Sequence, residues 1–327
     1  MTNRSTLEIV NRTLKQLRRN DCTMGGVLFV LCGDFRQILP VVPRGTRADV
    51  VAACIKSSPL WREVEVHHLR RNMRLLQGEE AFAEVLLAIG EGRFPAQESV
   101  ISVPPEIRSE TLDWKEFVAE LPLDDQSAIL TPLNSKVEEI NTFLLDRWNG
   151  EEHTYFSFHS VPNEDDLTNF PIDFLQTVVS SGIPSHQLKL KRGCPVSIMR
   201  NLEPPVLCNG TRCRVVEMRR NLIEVEVAVG PYSGVRRLIT RIPFVPIASE
   251  FPVSFRRIQF PLRLCFAMTL NRSQGQTFQA VRVILSPSVF SHGMLYVALS
   301  RCVSKNSLKV LCRADGKTSN IVYQEVL

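Results

Sequence analysis

Residues suited to phosphate chemistry follow an apolar run near the start of the chain. In VLFVLCGDFRQ, six apolar residues lead directly into Gly33, Asp34 and Gln37. An apolar run of this kind is typical of a buried parallel strand, and α/β proteins bind ligands beyond the ends of such strands. A glutamine there can orient a water molecule against a phosphate group. On its own, however, Gly-Asp after a strand indicates only a turn.

Two arginines and one polar loop offer matching chemistry elsewhere in the chain. Arg74 lies in LRRNMRL, Arg301 closes LYVALSR, and residues 269–276 form the polar loop TLNRSQGQ. Guanidinium groups stabilise the charge that spreads over a transferring phosphoryl group. Each arginine alone is explained more simply by a surface ion pair. The segments therefore become informative only when they are taken together and in order.

The elements that position these residues alternate between helix and strand at both ends of the chain, which indicates an α/β fold. We predict a helix opened by a capping box at Ser5–Glu8, a buried strand at Val27–Cys32, a helix at about 79–89, and a strand, turn and helix within 128–148. Residues 151 to about 184 are polar and turn-rich, and the three acids Glu164–Asp166 are interpreted as a solvated loop. In the last part of the chain, LRLCFAMTL, VRVILS, GMLYVALSR and SLKVLC predict strand, strand, helix and strand.

Between these parts lies a segment of different character. The short apolar stretches CPVSIMR, RCRVVEM, LIEVEVAV and VRRLITRIPFVPI, separated by turn residues, predict a small all-β module. Residues 189–257 carry thirteen Lys and Arg against five Glu, a net charge of +8, whereas the whole chain carries +5. A polyanion would meet the protein in this region. A solvated β-surface with its arginines facing water explains the same count equally well.

The bulk composition excludes several classes of protein. The chain has 327 residues, 44% hydrophobic and 22% charged, which is typical of a folded protein of about two domains. No apolar run reaches the roughly 20 residues that span a bilayer, and the N-terminus lacks a secretory pattern. The nine cysteines contain no CxxC pair, so we expect reduced thiols, not a zinc site.

In their order along the chain, five segments resemble the later motifs of superfamily-one, PIF-type DNA helicases: GDFRQILPV, NMRL, LCNGTR, FAMTLNRSQGQT and LYVALSR. They are more similar still to the helicase part of Helitron transposon proteins. The resemblance covers essentially the whole chain. It implies RecA-like motor domains, with residues 1–63 as the remainder of the first, 64–171 and 258–327 as the second, and 172–257 as an inserted 2B β-barrel.

The resemblance also implies an activity, namely ATP-dependent unwinding of DNA from 5′ to 3′. The associated processes are DNA repair, recombination, telomere maintenance or Helitron transposition, with a nuclear location in a eukaryote. In the nucleotide site, Gln37 would sense the γ-phosphate and its attacking water, and Gly33 and Asp34 would form the supporting loop. Gly275 would also belong to the nucleotide site. Arg74 and Arg301 match the two arginines that reach the γ-phosphate from the second motor domain.

The resemblance assigns a second set of residues to single-stranded DNA. The polar loop would grip the DNA backbone and couple that grip to hydrolysis, and Gly275 would permit close approach of the backbone. Relatives often carry His and Lys where this chain has Asn271 and Arg272, so the histidine contact is not retained. The DNA-binding residues implied in this way are Thr269, Asn271, Arg272, Ser273 and Gln274 of the loop and Asn209, Arg212 and Arg214 of the β-module.

The parts that would hold ATP and Mg²⁺ are not found in the sequence. No G-x-x-x-x-G-K-[ST] occurs, and Gly316-Lys317-Thr318 has Leu311 where the first glycine should stand, so we interpret it as a turn. Neither Asp124-Asp125 nor Asp165-Asp166 follows an apolar strand, so no metal-holding carboxylate is predicted. By the resemblance, the chain begins just past the acidic pair, as a fragment would.

Three hypotheses remain open from the sequence. The parent protein is an ATP-dependent helicase that binds ATP and Mg²⁺ through residues outside this chain. Alternatively, the polypeptide alone is a catalytically inactive binder of single-stranded DNA, the remnant of a transposon helicase. In the third, it is a folded remnant with protein contacts only.

Overall fold

The computed structural model describes residues 2–69, 71–122, 124–161, 170–178, 182–246 and 254–327. Two compact units divide the chain. The first unit comprises Met1–Leu121, Ile129–Asn134 and Thr269–Leu327, and the second comprises Pro122–Ala128 and Ser135–Met268. The finer division into motor-domain segments and a 2B module at the residues given above stays a prediction.

The α-helices of the described residues are short, apart from two of fourteen or more residues. The described residues also contain short 3-10 turns. The α-helices span Arg4–Arg18, Arg47–Ala53, Glu80–Gly90, Trp114–Ala119, Asn134–Arg147, Ile172–Thr177 and Met294–Leu299. The 3-10 turns span Thr23–Gly26, Ile55–Ser57, Pro59–Glu63, Leu270–Ser273, Lys305–Ser307 and Gln324–Val326.

The strands are also short and are numbered here in chain order. They are β1 (Val100–Ser102), β2 (Ser127–Thr131), β3 (Glu152–Phe156), β4 (Phe158–Ser160), β5 (Gln187–Lys191), β6 (Pro195–Ile198), β7 (Arg212–Met218) and β8 (Ile223–Val227). They continue with β9 (Arg236–Ile239), β10 (Ile242–Phe244), β11 (Arg256–Gln259), β12 (Leu262–Leu264), β13 (Ala267–Thr269), β14 (Ala280–Ile284), β15 (Leu308–Leu311) and β16 (Lys317–Ser319).

A four-stranded sheet carries the α/β part of the fold. Its order is β13-β2-β14-β15, and β14 pairs in parallel with β15. Strand β2 is buried at all five positions, as a strand covered on both faces must be. The predicted strands at β2, β14 and β15 and the helices Glu80–Gly90, Asn134–Arg147 and Met294–Leu299 are confirmed.

The predicted N-terminal helix is confirmed, but its predicted cap is wrong. The helix begins at Arg4, and the side chain of Asn3 accepts a hydrogen bond from the backbone N–H of Ser5. Asn3 is as good a cap as Ser5 and stands two residues earlier, so the helix gains residues at its start. It ends at Arg18, and the next residue, Arg19, adopts the left-handed conformation at φ 49°.

The predicted buried strand at Val27–Cys32 is wrong. This segment is in no strand, and the residues Leu28 and Val30 are 90% and 74% exposed. A strand forms only where another strand pairs with its backbone N–H and C=O groups, and no described residue pairs with this one. The apolar run therefore predicts the strand propensity of the segment and does not guarantee a partner for it.

Residues 151–184 contain strands and a helix that their polar, turn-rich sequence did not predict. The segment contains β3, β4 and the helix Ile172–Thr177, which buries Leu175. Elements of three to six residues are too short to show a clear period in the sequence. The acidic run at Glu164–Asp166 lies outside the described residues.

The stretch LRLCFAMTL forms two strands, not the single strand that we predicted. It breaks between β12 and β13, and a buried side chain from the helix Asn134–Arg147 satisfies the backbone at the break. Asn141 accepts from the backbone N–H of Ala267 at 2.8 Å and donates to the carbonyls of Leu264 and Ala267, each at 3.4 Å. This amide lets the chain leave one sheet and enter another without losing backbone hydrogen bonds.

The predicted all-β module is confirmed in the second unit. An antiparallel five-stranded sheet has the order β12-β6-β7-β8-β9. Strand β8 alternates buried and half-buried residues, as its sequence predicts. A three-stranded sheet, β10-β11-β4, packs beside a core built by six buried residues. These are Leu175, Val178, Ile183, Met199, Phe244 and Phe255.

A buried arginine and two histidines lie on the inner side of that three-stranded sheet. The Arg257 guanidinium donates to the carbonyls of Leu175 and Pro184 and, from Nε, to His159 Nε2 at 3.0 Å. His159 is therefore an acceptor at Nε2. Burial, together with the charges of Arg257 and His186, lowers the pKa of His159 to about 4.

We expect acid to destabilise the second unit through His159. In the unfolded chain this histidine takes up a proton near pH 6.5, whereas in the folded protein it does so only near pH 4. The unfolding free energy should therefore fall as the pH is lowered from 6.5 towards 4. Urea unfolding at pH 7.5 and pH 5 measures this difference. His159→Gln should reduce it, and the control His153→Gln should not; equal pH dependence in both variants would contradict the assignment.

Candidate functional site

The Asp34 carboxylate is the centre of a polar network in the first unit. It accepts hydrogen bonds from Arg36 Nε at 2.8 Å, from the Tyr296 hydroxyl at 3.1 Å and from Gln37 Nε2 at 3.4 Å. Burial opposes ionisation of Asp34, but the hydrogen bonds and charge of Arg36 outweigh it, so its pKa lies below the usual value. Burial and the nearby carboxylate raise the pKa of Tyr296 to about 12. The predicted Gln37 is thus held by an ionised Asp34.

Close packing against two glycines fixes the loop that carries Asp34 and Gln37. At Gly293, φ is +71°, and an added Cβ would lie 2.3 Å from the carbonyl oxygen of Arg36. At Gly90, an added Cβ would lie 2.8 Å from the Tyr296 ring. The loop backbone at Arg36 and the Tyr296 ring that bonds Asp34 can therefore lie where they do only because Gly293 and Gly90 lack a side chain.

A neutral histidine completes the support of this loop. His292 Nδ1 accepts the backbone N–H of Tyr323 at 2.8 Å, so the ring proton is on Nε2, which lies 2.7 Å from the carbonyl oxygen of Phe35. Burial lowers the pKa of His292 and favours this neutral form. On the far side of the loop, Arg36 also forms a salt bridge with Glu91 at 3.1 Å.

The two predicted arginines lie close together. Arg74 donates from Nε to Thr277 Oγ1 at 3.1 Å and from a terminal nitrogen to the carbonyl of Ser300 at 3.0 Å. Arg301 is fully buried and donates to the carbonyls of Val297 and Gln276 and to Ser300 Oγ. Burial, followed by the charge of Arg74, lowers the pKa of Arg301 to about 10.

This arginine pair has the character of an anion site. Within the described residues, neither Arg74 nor Arg301 forms a salt bridge with a carboxylate, although Asp34 and Tyr296 favour the charged form of Arg301 from a distance. Two guanidinium groups held together by neutral oxygens retain the capacity to bind a phosphate, and an anion would relieve their repulsion. Gln37 is bonded to Asp34, and the charges of Asp34 and Tyr296 act on Arg301, which lies beside Arg74.

The polar loop after β13 is hydrogen-bonded to the segment that carries Gln37. Gln274 Nε2 donates to the carbonyl of Ile38 at 3.3 Å, directly beyond Gln37. Asn271 and Gly275 are exposed, whereas Thr269 and Ser273 are buried, and Ser273 Oγ bonds the carbonyl of Leu270. The buried side chains have a structural role, so the loop presents other residues to the solvent.

The β-module candidates occupy three different environments. Arg212 is buried and donates to the carbonyls of Asp125 and Ser127, which gives it a structural role. Arg214 forms a salt bridge with Asp125. Asn209 is exposed and uses its backbone N–H to bond Asn201.

Several residues of the network were not singled out from the sequence. Tyr296 lies inside LYVALSR, and Arg36 lies inside GDFRQ, so the motifs contained them without showing what they contact. Glu91 lies far from both segments in sequence, whereas His292 lies three residues before LYVALSR, and only the fold brings the two side chains to the loop. The sequence offered one signal for the close approach of the Arg36 carbonyl: Gly293 is a glycine directly before an apolar helix.

The described residues also bear on metal binding and on membrane insertion. No group of three or more His, Cys, Asp or Glu residues in that part of the chain is arranged to hold a metal ion. No helix there is long and apolar enough to cross a membrane.

The chain has an α/β fold, and solved structures of RecA-like helicases share it. The structure is similar to a PIF1 helicase crystal structure from Candida albicans, with a TM-score of 0.66 and 24% identity, covering 100% of this chain and 73% of that one. It is also similar to Bacteroides Pif1 bound to ssDNA, with a TM-score of 0.69 and 20% identity, covering 100% and 70%.

Sequence comparison identifies the helicases to which the chain is similar. Residues 1–100 match the family described as PIF1-like helicase, and residues 173–218 match the DNA helicase Pif1 2B domain. ATP-dependent DNA helicase PIF1 of Homo sapiens is 27% identical over 93% of this chain and 43% of its own length. RRM3 of Saccharomyces cerevisiae is 23% identical over 97% and 50%. Over these residues the chain is similar to the PIF1-like helicases.

The predicted resemblance to PIF-type helicases is thereby confirmed, and the closer resemblance to Helitron proteins stays a prediction. The chain spans half or less of the length of the two curated relatives named above. The activity of those whole proteins therefore does not establish the activity of this chain.

We expect Gly293→Ala to displace the loop that carries Asp34 and Gln37. Gly275→Ala is the matched control, because Gly275 also has a positive φ but no atom lies within 4 Å of its added Cβ. The control should lose roughly 1 kcal/mol of stability from backbone strain alone, and Gly293→Ala at least about twice that. Urea unfolding of both variants measures the difference, and equal losses would show that the close approach at Gly293 is unimportant.

Proposed function

We propose that this chain forms the part of an ATP-dependent DNA helicase that senses the γ-phosphate of ATP and grips single-stranded DNA. The observation that carries the proposal is the pairing of Arg74 with Arg301 beside a loop that holds Gln37. The similarity to PIF1-like helicases supports it, because the curated relatives are ATP-dependent DNA helicases. By the same similarity we propose a nuclear location in a eukaryote, and roles in DNA repair, recombination and telomere maintenance.

The arginine pair fits the end of a triphosphate. Arg74 is half-buried, so its guanidinium is the group that first meets an anion, whereas the fully buried Arg301 adds positive potential from behind. In the low-dielectric surroundings of Arg301 this potential acts strongly on a nearby charge. ATP with Mg²⁺ supplies the phosphoryl group to be transferred; the residues of this chain bind and orient its outer end.

Gln37 would position the attacking water. Its side-chain nitrogen donates to Asp34, so its carbonyl oxygen is free to accept a hydrogen bond from water. Asp34 is in turn fixed by Arg36 and Tyr296, which prevents the amide from turning. This arrangement holds an acceptor in one orientation, as orienting a nucleophilic water requires.

Two regions would contact single-stranded DNA. In the loop after β13, Asn271, Arg272 and Gln274 would bind the backbone, and the bond from Gln274 to Ile38 links that loop to the segment carrying Gln37. In the β-module, Asn209 and exposed arginines would bind phosphates. Four arginines within residues 189–257 are exposed and form no salt bridge with a described residue: Arg192, Arg200, Arg220 and Arg256.

A second candidate function is DNA binding without hydrolysis. The sequence contains no P-loop lysine in a G-x-x-x-x-G-K-[ST] motif, and this lysine and the metal ion supply much of the electrostatic stabilisation in phosphoryl transfer. On this proposal the polypeptide binds single-stranded DNA but does not turn over ATP unaided. A transposon origin, as a Helitron-type remnant, belongs to this second candidate.

Nucleotide binding tests the arginine pair. We expect Arg74→Ala to weaken binding of a fluorescent ATP analogue by about tenfold or more, since a charge-assisted contact with phosphate contributes roughly 1.5–3 kcal/mol. Arg313→Ala, which removes an exposed arginine of the same unit, is the control. Equal affinities for the two variants would contradict the assignment of Arg74.

The same samples separate the two candidate functions. We expect no ATP hydrolysis stimulated by single-stranded DNA from this chain. Turnover that Arg301→Ala abolishes would exclude the second candidate and support an active motor.

DNA binding is tested by fluorescence titration with oligo-dT at several salt concentrations. We expect binding that weakens as salt rises, because phosphate contacts release counterions. Reversing charge at Arg192 and Arg220 should weaken binding and lower the slope of log affinity against log salt by about 0.7 for each phosphate that is no longer neutralised. Arg62→Glu, in the first unit, is the control; equal slopes in the control and the double variant would place the DNA elsewhere.

A further inference from the structure

The outer face of the three-stranded sheet in the second unit is apolar and exposed. Register places Phe158 of β4 opposite Ile258 of β11, and Ile258 opposite Pro243 of β10. These residues form one row across the sheet, and the Phe158 residue is 65% exposed. The adjacent row, which contains Phe244 and Arg257, faces the core. The exposed row is therefore a true outer surface of a folded sheet and not the edge of a loose loop.

A second exposed ring lies next to Phe158. Phe156, at the end of β3, is 55% exposed, and the residue between the two rings, Ser157, is buried. Because side chains alternate along extended chain, the two rings lie on the same side, about 7 Å apart along the backbone. The Phe156 ring also lies 5.5 Å from the His186 ring, centroid to centroid, which limits its rotation. The surface thus offers two ordered rings to a ligand.

Arginines border this pair of rings. The Arg241 guanidinium lies 4.5 Å from the Phe260 ring centroid and 5.8 Å from that of Phe158. It donates to the carbonyl of Arg220 and to Asn221 Oδ1, both at 3.0 Å, so its position is fixed. Arg256 is exposed on β11, and no described residue forms a salt bridge with either arginine. The three strands β4, β10 and β11 contain no acidic residue.

We propose that this face binds single-stranded nucleic acid, with bases stacked on Phe156 and Phe158 and phosphates bound by Arg241 and Arg256. Aromatic rings beside fixed positive charge, with no negative charge on the strands, complement a ligand that is both aromatic and polyanionic. The proposal rests on the proposed function and deepens it. None of the motifs that mark the helicase resemblance contains these four residues, so the contact is additional to the grip of the loop after β13.

A double variant, Phe156→Leu with Phe158→Leu, tests the stacking. Leucine keeps the surface apolar and removes the rings. Phe290→Leu is the matched control, because Phe290 is 59% exposed and lies in the first unit. We expect the double variant to bind oligo-dT about tenfold or more weakly than the intact chain, and the control to change affinity by less than about twofold.

An abasic strand of the same length separates stacking from charge. The double variant and the intact chain should bind the abasic strand equally, because its phosphates are unchanged and it has no bases to stack. Returning an aromatic ring at position 158 (Phe158→Tyr with Phe156→Leu) should restore part of the affinity for oligo-dT. Photo-crosslinking to an oligonucleotide that contains 5-iodouracil should label Phe156 or Phe158.

Each result is decisive. Equal oligo-dT affinity in the double variant and the control, while the intact chain binds, would overturn this inference and leave the proposed DNA binding intact. If the double variant lost the same affinity for oligo-dT as for the abasic strand, stacking would be overturned. Crosslinks found only at other residues would overturn it as well. In either case an apolar protein partner would be the better occupant of the face. No binding by the intact chain at low salt would overturn both proposals.

Discussion

The arrangement of the first unit depends on one half-buried carboxylate. Asp34 accepts hydrogen bonds from three side chains that come from two distant parts of the sequence, and each of them loses an acceptor if the carboxylate is removed. A donor left unsatisfied in a partly buried site costs about 1–3 kcal/mol, which is large compared with the net value of an ordinary hydrogen bond. Asp34 is therefore both a fixed negative charge and the acceptor that sets the orientation of Gln37.

In the second unit, net charge and available charge are different quantities. The excess of thirteen basic over five acidic residues suggests a broad cationic surface. In the structure, the guanidinium groups of Arg212 and Arg257 are buried, and several other basic side chains pair with carboxylates, among them Arg214 with Asp125 and Arg237 with Glu203. The charge that remains available is concentrated on fewer side chains, and some of these lie next to exposed aromatic rings.

Much of the fold follows from local pattern. The alternation in β8, the fully buried β2 and the helical spacing of Glu80–Gly90 are properties of consecutive residues, and these elements form as the sequence predicts. Pairing between strands is not local, which is why an apolar run at Val27–Cys32 could be mistaken for a buried strand. The elements within residues 151–184 were missed for a different reason, since three to six residues carry little periodic signal.

The residues of the candidate site also fall into two groups: those that residue type reveals and those that only the fold reveals. Motif residues such as Gln37, Arg74 and Arg301 could be named from residue type and order, because their chemistry is visible in the side chain. Tyr296 and His292 act through contacts with Asp34 and Phe35, more than 250 positions away, and no property of their neighbours indicates such contacts. Burial is equally invisible to residue type, and it is burial that separates Arg212 from the exposed arginines of the same module.

The bond between the Gln274 amide and the Ile38 carbonyl has a thermodynamic consequence. A single neutral hydrogen bond has a net value of about 1 kcal/mol, so through this bond alone an event at one end can alter an equilibrium at the other only about fivefold. By reciprocity, the same small factor applies in the opposite direction. Any larger allosteric effect between these two loops requires a collective rearrangement. In that rearrangement the close contact between the Arg36 carbonyl and Gly293 also changes.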